Sequence, residues 1–263
     1  MPKGLILDCE RERARIVAFI RDQLAAAGYS RVVLGLSGGV DSALVAALCV
    51  EAIGAENVRA TVMPYRTSTP ESEEHALVQA RTLGLRLFRF EITDVVQPFI
   101  AADSAIDDRR KGNLMARARM MALFDQSMAS RGLVAGTSNR TEYLLGYFTI
   151  FGDGAASFEP LWHLYKCQVR AMARHVGVLD AILDKAPSAD LWAGQTDEGD
   201  LGFTYDEADA VLYLATERGL PAPEVAARGY RLDVVEAVLR RMRSTEFKRL
   251  PLPSLSTDGR HTL

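Results

Sequence analysis

Val32-Val33-Leu34-Gly35-Leu36, followed at once by Ser37-Gly38-Gly39-Val40-Asp41-Ser42, is the stretch that decides the fold. Five apolar or small residues in a row read as a strand buried on both faces, the pattern of a parallel sheet. The next six form a turn, and residues 43–53 then follow as a helix that stops near Gly54. A strand feeding a helix through such a turn leaves backbone N–H groups at the helix N-terminus, where the helix dipole also favours an anion. Gly38 and Gly39 allow a ligand to approach the backbone closely, and Ser37 and Ser42 carry hydroxyls suited to phosphate oxygens. Asp41 would repel a phosphate. Its carboxylate makes sense if it holds a Mg²⁺ that bridges to the phosphates. The loop lacks the Gly-Lys-Ser/Thr ending of a P-loop and the spacing of a dinucleotide fingerprint. A plain tight turn would need only the two glycines; the complete string Ser-Gly-Gly-Val-Asp-Ser asks for more.

Outward from this loop the alternation repeats. Residues 58–63 are a strand candidate, 70–83 a helix, 85–90 a third strand, 113–130 a long helix and 132–135 a fourth strand. Strands alternating with helices imply a parallel sheet covered on both faces, a doubly wound, three-layer, Rossmann-like α/β unit. After about residue 160 only helices are expected, over 164–175, 205–218 and 232–243. We therefore read one domain over 1–263: an α/β core at about 30–160, a helical C-terminal portion at about 160–250, and a tail at 251–263, expected to be disordered at its very end. The polar segment 103–112 is expected to be a mobile loop.

Composition narrows the function classes. With 48% hydrophobic and 25% charged residues, a chain of 263 residues can bury one sizeable core. A net charge of −3 without basic blocks disfavours nucleic acid as a partner. No apolar run reaches the roughly 20 residues of a membrane span, and the charged first 15 residues do not form a signal peptide. Cys9, Cys49 and Cys167 are odd in number and widely spaced, as expected of free thiols in a reducing cytoplasm.

The Ser-Gly-Gly-Val-Asp-Ser loop resembles that of the ATP pyrophosphatase superfamily, which grips the pyrophosphate end of ATP and activates acceptors as adenylates. Further strings narrow the resemblance: Gly136-Thr137-Ser138-Asn139-Arg140-Thr141-Glu142, Gly146-Tyr147-Phe148-Thr149, Gly152-Asp153-Gly154, Leu164-Tyr165-Lys166, Lys185-Ala186-Pro187-Ser188-Ala189-Asp190 and Gly194-Gln195-Thr196-Asp197-Glu198. Together they resemble the NAD synthetase family over about residues 10–250. The resemblance implies an adenine-nucleotide α-hydrolase-like fold. It also implies ATP contacts from Gly35, Leu36, Ser37, Gly38, Gly39, Val40, Asp41, Ser42, Thr137, Lys166 and Ser188. Asp41 and Glu142 are the implied Mg²⁺ carboxylates. Arg117 and Lys248 are the implied contacts to the dinucleotide, deamido-NAD.

Three positions on the dinucleotide side depart from the family pattern. Ile150 stands where a lysine is common, Ser157 where an aspartate is common, and Phe247 where a histidine is common. Nicotinate mononucleotide therefore stays open beside deamido-NAD as the acceptor.

The implied reaction activates the carboxylate as an acyl adenylate, which ammonia then converts to the amide. Glutamine-dependent relatives carry an added N-terminal glutaminase domain, and about 30 residues before the first strand are too few for one, so free ammonia is the expected donor. The family's homodimer is expected here too. The helix at 113–130, apolar over much of its circumference, suits either an interface or a deep core position. A tRNA-modifying relative would need a basic surface, and thiolation typically a cysteine pair. A non-catalytic ATP-binding sensor of similar fold would need no Glu142 and Lys166 together.

Overall fold

The computed structural model describes residues 2–192, 194–251, 254–255 and 261–262. The chain opens with α1 (Cys9–Ala27), capped by the Asp8 side chain, which accepts from Arg11 N. It continues through β1 (Val32–Gly35), α2 (Val40–Ile53), β2 (Val58–Val62), α3 (Pro70–Thr82), β3 (Leu87–Arg89), α4 (Thr93–Ala101), α5 (Asp108–Ser130) and β4 (Leu133–Val134). Helices then follow: α6 (Arg140–Leu145), α7 (Lys166–His175), α8 (Asp180–Leu183), α9 (Asp197–Leu201), α10 (Tyr205–Thr216), α11 (Ala222–Ala226) and α12 (Leu232–Ser244). The backbones of Ser254–Leu255 and His261–Thr262 pair antiparallel. The rest of the expected disordered tail lies outside the described residues.

The four long-range strands are all parallel, in the order β3-β2-β1-β4. Side chains alternate along β1. Val32 and Leu34 join the cluster that includes Ala43, Leu44 and Leu48 of α2. Gly35 points the other way, where an added Cβ would meet Met63 and Leu123 of α5. Both faces are thus covered, which explains the unbroken apolar run of β1. The C-terminal helices gather a second cluster around Tyr205, Leu212, Val235 and Val238.

The strand order explains where the site must be. The chain moves from β1 to β2 and β3 on one side, then returns to place β4 on the other. The connections after β1 and β4 therefore leave in opposite directions, opening a crevice at the carboxyl ends of these neighbours.

One expectation needs correction. The segment 103–112 is not all loop: α5 starts at Asp108, because the Asp107 side chain accepts from Arg110 N at 2.7 Å and caps it. Residues 93–101, to which the sequence assigned no element, form α4 (Thr93–Ala101) with Pro98 inside it. The long helix buries Met115, Ala118 and Ala122 but exposes Met121 and Met128, so it is not a deep core helix.

Candidate active site

The crevice holds a cavity of about 750 Å³, whose walls come from both sides of the switch in strand order. Gly35, Leu36 and Ser37 line it after β1, Gly136 and Thr137 after β4, and Ser188 from the segment before α9. Thr61 presents a buried hydroxyl with no partner, an available donor for a ligand.

The loop after β1 is held by its own serines. Ser42 Oγ donates to Gly39 O at 3.0 Å and accepts from Ser37 N at 3.1 Å. With its proton spent there, Ser42 accepts from Ser37 Oγ at 3.0 Å, and Ser37 Oγ accepts in turn from Gly39 N at 3.3 Å. Ser42, read from sequence as a ligand donor, is buried and shapes the loop instead. Gly38 has φ +79°, and a Cβ there would lie 2.1 Å from Ser72 O. The N-cap of α2, Gly39, supplies no side-chain cap, so the first amides of that helix face the loop as an anion nest.

Behind the loop lies a charge cluster. Lys166 Nζ donates to Asp41 Oδ2 at 2.6 Å and to Glu142 Oε1 at 3.1 Å, with its side chain 3% exposed. Glu142 serves twice, because its other oxygen accepts from Asn139 N at 3.3 Å while Glu142 N donates to Asn139 Oδ1 at 3.0 Å. This capping box starts α6 and fixes the carboxylate in place. Asn139 Nδ2 also donates to Asp41 Oδ1 at 2.8 Å, joining the two loops directly. The Lys166 ammonium sits 4.9 Å above the Tyr205 ring. Tyr205 OH donates to Asp197 Oδ2 at 2.9 Å, and Tyr147 OH to Asp197 Oδ1 at 3.1 Å.

Three acidic groups therefore surround one ammonium. Burial raises the Glu142 carboxyl above the usual carboxylate range, opposed by Lys166 and reinforced by Asp41 and Asp197. Burial also raises Asp197. For Lys166 burial works downward, yet the carboxylates of Asp41, Glu142 and Asp197 override it and hold the ammonium charged. The cluster is short of positive charge. No group of three or more His, Cys, Asp or Glu side chains suited to a metal occurs among the described residues. Two carboxylates that already share one cation are nevertheless a donor set that fits Mg²⁺, which takes one or two carboxylates and leaves its other positions to phosphates and water.

The residues proposed for the acceptor side are dispersed. Lys248 lines the cavity and donates to Gly146 O at 2.7 Å and Phe148 O at 2.6 Å. Arg117 is exposed, outside the cavity lining, with Nη2 donating to Ile150 O at 3.4 Å. Ser157 Oγ accepts from Val134 N at 3.1 Å and so finishes the edge of β4. Phe247 is 65% exposed. Of the arginines on α5, Arg109 and Arg119 line the cavity while Arg117 does not, and Arg119 donates to Met63 O at 3.1 Å. Burial lowers its pKa. Asn139, Asp197 and Arg119 stand among the residues that carry the resemblance, but the sequence assigned a role to none of them, nor to Tyr205. Only Asn139 carried a usable signal, the Asn-x-x-Glu spacing of a capping box.

The chain matches the family model described as NAD synthase over residues 12–252. It is 46% identical over 237 residues to the NH(3)-dependent NAD(+) synthetase of Trichlorobacter lovleyi, covering 90% of this chain and 87% of that one. Among solved structures it resembles an NMN synthetase from Francisella tularensis, with TM-score 0.83 and 31% identity over 94% of this chain and 98% of that one. It also resembles the NH3-dependent NAD synthetase from Campylobacter jejuni in complex with nitrate, with TM-score 0.81 and 32% identity over 95% of this chain and 100% of that one.

Proposed function

The chain belongs to the NAD synthase family, and from that premise we propose that it is a C–N bond-forming ligase that amidates deamido-NAD (nicotinate adenine dinucleotide) with ammonia, using ATP and giving NAD, AMP and pyrophosphate. The observation that carries this reading is the buried Asp41–Lys166–Glu142 cluster behind the loop of residues 35–42.

A carboxylate is a poor acyl donor, so it must first acquire a leaving group. The substrate carboxylate attacks the α-phosphorus, the bond to the bridging oxygen breaks, and pyrophosphate leaves toward the amides at the start of α2. Those amides and Lys166 meet charge that grows on the departing oxygens, from positions set before reaction begins. Ser37, Thr137 and Ser188 line the cavity around the nucleotide, and Thr137 offers it a hydroxyl. Ammonia then attacks the acyl carbon, the bond to the AMP oxygen breaks, and the amide and AMP depart. Asp41 and Glu142 would hold Mg²⁺, which when bound offsets polyphosphate charge. No covalent enzyme nucleophile is needed, so the protein works by positioning. Arg109, Arg119, Arg241 and Lys248 line the cavity and are the cations available to the acceptor phosphates.

One alternative acceptor has specific support. Ile150, Ser157 and Phe247 supply neither the cation nor the carboxylate usual on the dinucleotide side, and a solved relative is an NMN synthetase. Incubation with ATP, Mg²⁺, ammonium and either deamido-NAD or nicotinate mononucleotide, with amide product measured, separates the two. Product from neither rejects the reading.

We further propose a cytoplasmic homodimer. No helix of the described residues is long and apolar enough to cross a membrane. Met121 (52% exposed) and Met128 (79%) present an apolar stripe on α5 for a second copy. Sedimentation of the purified protein at twice its monomer mass of 28.8 kDa is the expected result.

A further inference from the structure

A second cavity, of about 830 Å³, lies on the other side of the segment that follows β4. Its walls include Glu12, Arg140, Tyr143, Glu159, Trp162 and Glu217. Two of these carboxylates are neutralised: Glu12 by Arg15 at 2.7 Å, and Glu217 by Arg140 at 3.1 Å. Glu159 has no cationic partner among the described residues. Its Oε2 accepts from Ser138 N at 3.2 Å, while Oε1 is buried with no partner at all.

Glu159 and Gly136 bring the linings of the two cavities into contact. A Cβ added to Gly136 would lie 2.0 Å from Glu159 Oε1, so carboxylate and glycine are in direct contact. Gly136 lines the 750 Å³ cavity and Glu159 the other. The chain around Glu159 is fixed, since Gly136 N donates to Phe158 O at 2.9 Å. The charges of Glu142 and Asp153 reach Glu159, and burial, the larger effect, pushes it up to about 8. A positive ion at Oε1 would relieve all of this.

The reaction proposed above consumes ammonia, which such an ion supplies once it has released a proton to water. Two large anionic substrates must fill the first cavity together, and ammonia, which at neutral pH is mostly ammonium, has to arrive by another face. Ammonium carries four N–H donors, and Oε1 is an acceptor without one. We propose that the second cavity is the access port for ammonium, held at its inner end by Glu159 beside Gly136. This inference rests on the amidation reading.

Glu159→Gln keeps the shape and removes the carboxyl that ionises when a cation sits beside it. In steady-state assays of amide formation, KM for ammonium is expected to rise about tenfold or more, as befits loss of a charged hydrogen bond, while KM for ATP and for deamido-NAD hold. Crystals of the unaltered protein soaked in rubidium chloride, with rubidium standing in for ammonium, should show an anomalous peak at Glu159 Oε1. An unchanged ammonium KM in a folded Glu159→Gln protein, or no rubidium at Glu159, overturns the port and leaves the amidation reading standing. Absence of amide product from the unaltered protein overturns both.

Discussion

Asn139 Nδ2 lies 2.8 Å from Asp41 Oδ1, so the residue that caps α6 also braces the first turn of α2. The two loops of the crevice are thereby one unit, although they leave the sheet from different strands. Replacing Asn139 by aspartate separates the two jobs. Aspartate caps helices about as well as asparagine, but here it would set a second carboxylate against Asp41. We expect Asn139→Asp to retain the fold and lose affinity for ATP, by about tenfold or more for one lost charged hydrogen bond. Asn139→Ala should lose about 1 kcal/mol of stability from the cap. Calorimetry with ATP and urea titration measure the two effects. Equal ATP affinity in Asn139→Asp removes the bracing role.

Asp41→Asn keeps the shape of the loop and cancels one carboxylate of the cluster. Turnover is expected to fall by about 10²-fold or more, the usual cost of losing one preorganised group in such a site, with little change in far-UV circular dichroism. Near-normal turnover would deny Asp41 a role in holding the cation.

Lys166→Ala leaves Asp41, Glu142 and Asp197 without their ammonium. Removing one partner of a buried charge pair costs about 3–5 kcal/mol, and the like charges left behind repel. The loss should be smaller in Mg²⁺ than in EDTA, because the same carboxylates would then share the metal ion. Melting curves with and without Mg²⁺ test this. Equal melting temperatures in both would show that the pair does not take the ion.

Much of this site was legible in the sequence, and its failures have physical causes. The loop at 35–42 announced itself because a strand buried on both faces has no polar alternation to blur it. Helix α4 was hidden by Pro98, which usually interrupts a helix. The start of α5 was hidden by Asp108-Arg109-Arg110-Lys111, whose polarity resembles a loop, although the Asp107 cap begins a helix there. Asp197 stood in one of the strings that carry the resemblance, yet no role could be read for it or for Tyr205. Their importance lies in meeting Lys166 from another part of the chain, which no local spacing records. The acceptor side shows the reverse, since Arg117 and Lys248 share a resemblance but only Lys248 lines the cavity.

Gly38 is the position of the loop least able to accept a side chain. Its φ of +79° and the 2.1 Å approach of Ser72 O to a would-be Cβ act together. The backbone term alone costs about 1–2 kcal/mol for an L residue, and the collision with a backbone carbonyl forces α3 or the loop to move. Gly38→Ala should lower the urea midpoint by at least the backbone amount and abolish ATP binding. An alanine variant of unchanged stability would mean that the loop adopts another conformation.

Glu159 gives the fold a pH dependence of its own. Burial raises it from 4.5 to about 8 in the folded chain, while the unfolded chain keeps an ordinary carboxyl. Between those values the folded state holds a proton that the unfolded state has lost. The contribution is therefore fully present below about pH 4.5 and disappears as pH rises through about 8. Its steepest loss is about 1.4 kcal/mol per pH unit. Glu159→Gln is neutral throughout and lacks this dependence. Urea unfolding at pH 5.5 and 8.5, with ammonium omitted, should show the unaltered protein losing on the order of 3 kcal/mol more than the variant. Adding ammonium at pH 8.5 should restore part of that loss in the unaltered protein alone, since an ion held by the ionised carboxylate favours the folded state. Parallel pH profiles for the two proteins would place Glu159 in water rather than against Gly136.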